Sequence, residues 1–492
     1  MNHLVILPLL VPLLAGTGLV LLRGSATATR RAVSLLATAV LVAVALALLR
    51  EVGGGAIEVY RLGNWPAPFG IVLVADRLAA AMVVVTALLA ACTVVYAAQG
   101  SDRAGRHFHV LFQFQLFGLN GAFLTGDLFN LFVFFEVLLI ASYGLLLHGG
   151  GRARTRAGLH YVVLNLAGST LFLFAVGALY GVLGTLNMAD LAQRMAVLPP
   201  EHAGVARAAG LLLFVVFALK AALVPLHLWL APAYASTSAP VAALFAIMTK
   251  VGAYAILRVY TLVFGAEAGP ATNLIEPWLL PLALATVVLG AVGAMASTRL
   301  SQQVAYLVLA SAGTLLTAFG LGSTAAVAAG LYYLAHTTFA AAALFLLADV
   351  IGRARGDLSD RLAPGPALPR VNLLGGVFLL LAVAVAGIPP LSGFFGKFLI
   401  LRASVDHPAM PWVLGVVLVT GLLTIVSLAR AGSRLFYKVD ESVAAPATGP
   451  RGAALAPAVA LLALGVLMVV FAGPLYDYSL ATAEQLVAPL DY

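Results

Sequence analysis

Leu211-Leu212-Leu213-Phe214-Val215-Val216-Phe217-Ala218-Leu219-Lys220-Ala221-Ala222-Leu223-Val224-Pro225-Leu226-His227 is an apolar run that carries a lysine and then a proline. The run around it, 205–231, is long enough to cross a hydrocarbon core about 30 Å thick. A lysine held at mid-membrane costs roughly 2.5–3.5 kcal/mol on insertion scales. Its stem can lift the ammonium to the interface from a span end. Fifteen residues of span precede Lys220, so that escape is hard. Pro225 removes a backbone donor at membrane depth, and such a break survives only where it lines protein or water. The stretch therefore reads as a broken transmembrane helix with a charge at the break.

The rest of the chain has the same character. Of its 492 residues, 62% are hydrophobic and 9% charged, against roughly 25% charged in soluble domains. Apolar spans fall near 3–22, 31–50, 73–98, 107–126, 128–148, 157–184, 205–231, 240–264, 275–297, 302–322, 325–350, 371–404, 411–436 and 453–475. The first, Leu4 to Leu22, has no basic flank before it and is followed by further spans, so it reads as a retained helix. The expected fold is an all-α integral membrane protein of about fourteen spans. The loop Glu51–Val72, with Gly53-Gly54-Gly55 and Pro66-Ala67-Pro68, reads as a turn-rich surface connection. One cysteine, Cys92, excludes a disulfide framework and a Cys-ligated cluster. The net charge of +8 sits in short loops, as a topology signal and not a nucleic-acid patch.

Orientation follows from the basic residues. With the N-terminus outside, the inner loops hold Arg23, Arg30, Arg31, Arg103, Arg106, Arg152, Arg154, Arg156, Arg299, Arg353, Arg355, Arg361, Arg370, Arg430, Arg434, Lys438 and Arg451. The outer loops hold Glu51, Glu58, Asp127, Asp190, Glu201, Glu267, Glu276 and Asp406. An even number of spans then places Asp477, Glu484 and Asp491, and so both termini, outside.

A repeat is also visible. Ala157-Gly158-Leu159-His160-Tyr161 echoes Ala329-Gly330-Leu331-Tyr332-Tyr333, and each is followed by a Pro-Leu step inside a span, Pro225-Leu226 and Pro390-Leu391. Units of five spans in tandem enter the membrane in opposite directions, the inverted-repeat plan of many transporters. The expected organisation is 1–106 (three spans), 107–264 (first five-helix repeat), 265–436 (second repeat) and 437–492 (last span and tail).

Three of the four lysines, Lys220, Lys250 and Lys397, lie inside apolar spans. Glu136, in Phe129-Asn130-Leu131-Phe132-Val133-Phe134-Phe135-Glu136, is the matching anion. Desolvation disfavours the charged form of any buried acid or base, so each must be paired or change its protonation. A Glu and a Lys of adjustable separation make a proton gate; held fixed, they make a static structural pair. A second break follows the pattern of the first: Gly387-Ile388-Pro389-Pro390-Leu391-Ser392-Gly393 precedes Lys397. Pro225, His227, Pro389, Pro390 and Ser392 are the residues expected to line the path at the breaks. His227 fits either the break itself or an inner aqueous vestibule. His336, mid-span, suits either proton relay or hydrogen-bonded packing. Arg77, Arg258 and Arg402 lie nearer span ends, where snorkelling accounts for them, and Asp349 reads as an inner-interface residue. No Cys pair and no His-x-x-Glu-His run supports a membrane enzyme or a metal site, and no cofactor is expected.

The runs 129–147, 220–234 and 387–397 resemble the antiporter-like subunits shared by respiratory complex I, membrane-bound hydrogenases and Mrp-type cation/proton antiporters. Asn2-His3-Leu4-Val5-Ile6-Leu7-Pro8 and 129–136 look like the D-type subunits of multisubunit Mrp sodium/proton antiporters. The resemblance implies a proton-translocating subunit in a bacterial cytoplasmic membrane, with further membrane subunits as partners and protons and Na+ as cargo. The alternative is a pump subunit of a redox-driven complex. It also implies that Glu136 pairs with Lys220, that Lys250 is a central relay, that His336 lies between Lys250 and Lys397, and that Lys397 ends the axis. One departure stands: many relatives carry a lysine where this chain has Ala340. No extended lateral helix is expected after the last span.

Overall fold

The computed structural model describes residues 2–440, 452–488 and 492; Arg451 and Asp491 lie outside them. In chain order the elements are α1 (Leu7–Leu21), α2 (Thr27–Val52), β1 (Glu58–Arg61), β2 (Val72–Ala75), α3 (Arg77–Ala97), α4 (Phe108–Leu124), α5 (Leu128–Leu146) and α6 (Arg152–Leu183). They continue with α7 (Met188–Ala196), α8 (Pro200–Lys220), α9 (Leu230–Ser236), α10 (Ala239–Phe245), α11 (Met248–Leu262), α12 (Glu276–Ala296), α13 (Leu300–Gly320) and α14 (Thr324–Ala354). The last are α15 (Val371–Ala386), α16 (Ser392–Ala403), α17 (Met410–Gly432), α18 (Ala456–Val470) and α19 (Ala472–Leu486). Among the described residues, ten helical segments are long and apolar enough to cross a membrane. Leu7–Leu21, Phe108–Leu124 and Val371–Ala386 are shorter apolar helices, and α18 and α19 form a pair bent by 82°.

Two local expectations change. The Glu51–Val72 connection is more ordered than its turn residues suggest: Glu58–Arg61 pairs antiparallel with Val72–Ala75, with Val59 opposite Val74. The alternating exposure of β1 against the fully buried β2 explains the hairpin, since β2 is covered by the helices and β1 faces out. At the other end, the chain beyond residue 475 is helical as far as Leu486. After the 82° turn α19 packs on α14 and α3, where Tyr478 Oη donates to the Arg77 carbonyl at 2.7 Å and Arg77 donates to the Ala481 carbonyl at 3.2 Å.

Burial sorts the helices. The α10–α11 segment and α14 are enclosed along almost their whole length, whereas α2 is mostly exposed on its flanks. A helix apolar on every side belongs inside protein or lipid, and these two are the inside ones. Small residues let them pack: a Cβ on Gly252 would lie 2.3 Å from the Ala221 amide nitrogen, so α11 presses its backbone onto the end of α8. A Cβ on Gly290 of α12 would likewise lie 2.4 Å from the Ala310 nitrogen of α13.

Several arginine-bearing loops meet in one vestibule, with acids among them. Arg31 pairs with Asp102 at 2.6 Å, Arg353 donates to Ser101, and Arg154, Arg299 and Arg353 line one vestibule of about 380 Å³. Glu51 binds Asn2 on the opposite face, and Glu267 and Glu276 share a cleft there with His407 and Val487. On the arginine-rich face, Asp360 caps the start of α13 by accepting from Ser301 N at 2.8 Å, and it also accepts from Arg299 Nε at 2.8 Å. Burial alone would push this carboxyl up; the bonds from Ser301 and the charge of Arg299 outweigh it and hold it below its ordinary 3.8. A depressed carboxyl stabilises the fold above its ordinary value and loses that contribution as pH falls below it. Asp360→Ala should therefore cost about 1–2 kcal/mol near neutral pH. The gap between wild type and variant in thermal melts should close as the pH is taken below 3.8.

Candidate functional site

The first break forms because Pro225 cannot donate and its neighbours cannot stay helical. Helix α8 ends at Lys220, and helical geometry resumes at Leu230. The stranded backbone groups find side chains: Trp229 Nε1 donates to the Leu219 carbonyl at 3.0 Å, and Val224 N donates to Thr286 Oγ1 at 3.0 Å. The second break repeats the arrangement. Helix α15 ends at Ala386, Gly387 takes φ 78°, and α16 starts at Ser392. Here the lysine itself is the donor, with Lys397 Nζ 3.2 Å from the Val385 carbonyl and 2.9 Å from that of Ala386. A third break, within the expected 240–264 span, separates α10 from α11, and Tyr234 Oη caps the freed Phe245 carbonyl at 2.7 Å. No proline marks it, which is why the sequence gives no sign of it.

Lys220 is 5% exposed. Its Nζ donates to Asn165 Oδ1 at 3.1 Å and stands 5.9 Å over the Phe135 ring. Glu136 is half-buried on α5, and its carboxylate accepts from the Ser169 hydroxyl. Ser169 and Asn165 lie one turn apart on α6, and the Ser169 hydroxyl is also 3.0 Å from the Asn165 carbonyl. Among the described residues Glu136 and Lys220 make no direct ion pair. The implied pairing is replaced by a polar bridge through α6, Glu136 to Ser169 to Asn165 to Lys220. Neither bridging residue carries a sequence signal, since Asn and Ser in an apolar helix are common packing residues.

Lys250 stands in the first turn of α11 at 0% exposure, and its Nζ has no hydrogen-bond partner among the described residues. His336 is 3% exposed on α14, with Nδ1 2.8 Å from Ser392 Oγ at the second break. A Cβ on Gly393 would lie 2.8 Å from His336 Nε2, so glycine is what lets α16 close on the ring. A cavity of about 30 Å³ lies beside His336 and Lys397, lined also by Ser311, Thr314, Thr337, Thr420 and Thr424. That is room for a water among several hydroxyls. Ala340 is buried on α14 and offers no polar atom.

The remaining candidates divide. Pro225, Pro389 and Pro390 are exposed on the outside of the bundle, and Ser392 is buried. His227 sits in the first break, half-buried, and does not line the arginine-rich vestibule, whereas Asp349 does. Arg258 is a correction. It does not snorkel: it is 3% exposed and pairs with Asp76 at 2.6 Å, below the ring of Tyr492. Its partner comes from the start of α3, a contact across the chain that span position alone does not disclose. Asp349 pairs with Arg353 at 2.6 Å and accepts from Tyr96 Oη at 2.6 Å.

The geometry places several bases within the membrane-spanning bundle, two of them in contact with polar side chains, Lys220 with Asn165 and His336 with Ser392. Comparisons agree with a membrane transporter of this kind. Residues 125–424 match the family described as NADH:quinone oxidoreductase/Mrp antiporter, TM. The chain is 41% identical to the D-type subunit of a probable K(+)/H(+) antiporter of Rhizobium meliloti (strain 1021), over 100% of this chain and 97% of that protein. It is 40% identical to the D-type subunit of the Na(+)/H(+) antiporter of Alkalihalophilus pseudofirmus, over 100% and 99%. A chain in the structure of the Mrp complex from Dietzia sp. DQ12-45-1b superposes with TM-score 0.86 at 28% identity, covering 99% of this chain and 98% of that one. The chain belongs to the NADH:quinone oxidoreductase/Mrp antiporter membrane family.

Proposed function

We propose that the chain is the D-type subunit of a multisubunit monovalent cation/proton antiporter, and that protons move through it along Glu136, Lys220, Lys250, His336 and Lys397. The observation that carries this reading is that each of the three lysines within the spans, Lys220 and Lys250 buried and Lys397 half-buried, lies at or beside a helix break. Lys220 ends α8, Lys250 follows the α10–α11 break, and Lys397 caps the broken end of α15. Lysine is costly at such depth, and a purely structural role does not call for three. The relatives that match over the full chain are named as K(+)/H(+) and Na(+)/H(+) antiporter subunits, so the cargo beside the proton is a monovalent cation.

In this reading the ten long spans, the three short apolar helices and the bent pair make fourteen crossings. Residues 107–264 and 265–436 are the two inverted five-span units, after an N-terminal unit of 1–106 and before 437–492. The arginine-rich face is cytoplasmic by the positive-inside rule, both termini are outside, and the host is a bacterial cytoplasmic membrane. The partners are the other membrane subunits of the antiporter.

Function is read with the intact complex in proteoliposomes, following antiport by a fluorescent pH probe. Lys220→Ala and Glu136→Gln should each abolish cation-driven proton movement while the complex still purifies whole. Full antiport in either variant would sink the relay. Asn165→Leu removes the side-chain acceptor and leaves the Lys220 ammonium only the main-chain carbonyl of residue 165 at 3.5 Å, a defect of about 1–3 kcal/mol. It should slow transport by roughly tenfold or more, and Asn165→Asp should recover part of that loss. Co-purifying iron and flavin would instead make this chain the pump arm of a redox complex.

A further inference from the structure

Away from the lysines, two helices begin side by side without caps. Neither Ala26 before α2 nor His107 before α4 supplies a side-chain hydrogen bond to the first turn. The first backbone N–H groups of a helix have no partner within it and carry the positive end of its dipole. Both starts, at Thr27 and Phe108, open into one cavity of about 320 Å³. The same cavity is lined by Arg23, Arg30, Arg103 and Arg106, none of which has a carboxylate partner among the described residues. Its one acid, Asp102, is already satisfied by both forks of Arg31 at 2.7 and 2.6 Å and by His109 Nε2 at 3.1 Å. A buried donor on its lining, Arg30 Nε, has no partner. Buried polar nitrogens are rarely left so.

We propose that this cavity holds the phosphate headgroup of an anionic phospholipid. Four guanidiniums without a carboxylate partner and two uncapped helix starts call for an anion with several acceptor oxygens. A lipid fits better than free phosphate because the walls continue as apolar surface. Leu21 at the end of α1 is 81% exposed and Leu36 on α2 is 67% exposed, apolar surface for acyl chains on the two helices whose ends line the cavity. The bound headgroup ties α1 and α2, which lie at the margin of the bundle, to α4. It does so at Asp102, the neighbour of Ser101, which lines the arginine-rich vestibule.

The test uses the purified full chain in mild detergent, with native mass spectrometry reading retained lipid. Phosphatidylglycerol should stay bound through delipidation, and phosphatidylcholine should not. The double variant Arg30→Gln/Arg106→Gln should bind phosphatidylglycerol about 30-fold more weakly, from the usual contribution of each arginine near an anionic headgroup. A control that removes the same charge on the opposite face, Arg207→Gln/Arg402→Gln, should leave binding unchanged. Equal retention of the two lipids, or an equal loss in the control, overturns the site. Displacement of phosphatidylglycerol by millimolar inorganic phosphate overturns the lipid assignment in favour of a soluble anion. If the double variant does not purify, wild-type melting decides. Phosphatidylglycerol must raise the melting temperature above that in phosphatidylcholine, and equal melting temperatures refute the proposal.

Discussion

A backbone carbonyl freed inside hydrocarbon must find a donor, and the architecture turns on how this chain supplies three sets of them. At the first break the donor is the indole of Trp229, at the α10–α11 break the phenol of Tyr234, and at the second prolyl break the ammonium of Lys397. Each unmet group would cost several kcal/mol in lipid. The aromatic pair also meets edge to face: Trp229 and Tyr234 stand 6.0 Å apart, and Tyr161 of α6 lies 5.3 Å from Trp229. The donors that permit the breaks are therefore fixed by packing against α6. This is the helix that carries Asn165 and Ser169 between Glu136 and Lys220, so the proline's local damage and the polar bridge are braced by the same element.

The two prolyl breaks are alike in form and unlike in chemistry. At the first, the freed carbonyls are satisfied by neutral groups, which leaves the Lys220 ammonium to a side-chain amide. At the second, the ammonium of Lys397 bonds the carbonyls directly. Moving Lys397 therefore uncaps α15, while moving Lys220 leaves the backbone of α8 capped. Glycine serves both places in one way: Gly252 admits α11 to the end of α8, and Gly393 admits α16 to His336.

Much of this was legible because the informative residues are of the wrong type for their setting. Lysine in an apolar run, and two prolines near it, violate membrane composition strongly enough to be seen one residue at a time. The clustering of arginine in alternate loops was visible for the same reason, and Arg154, Arg299 and Arg353 line one vestibule. What stayed hidden depends on partners. Asn165 and Ser169 are ordinary helix residues until Glu136 and Lys220 are brought to either side of them. Arg258 near a span end looks like a snorkelling cation until Asp76, far away in sequence, meets it at 2.6 Å. The α10–α11 break has no proline, because the packing of Gly252 on the end of α8 shapes that region and not a missing donor. The turn into α19 follows from contacts with α3 and α14 that no periodicity encodes.

Solvation along the proposed relay is uneven, and that decides where a proton rests. On Lys220 it meets the Asn165 amide oxygen, and on Lys397 it meets two main-chain carbonyls. On Lys250 no acceptor of the described residues is within reach, and the side chain is wholly enclosed. A buried charge without acceptors is the costliest arrangement in the set. The two ends thus hold a proton better than the centre, and occupancy of Lys250 is the high point between them. In the proposed relay His336 stands between Lys250 and Lys397, with a hydroxyl-lined cavity beside it and Ser392 on its ring. With Ala340 in place of a further lysine, the proposed step from Lys250 to Lys397 has that ring and its hydroxyls to use.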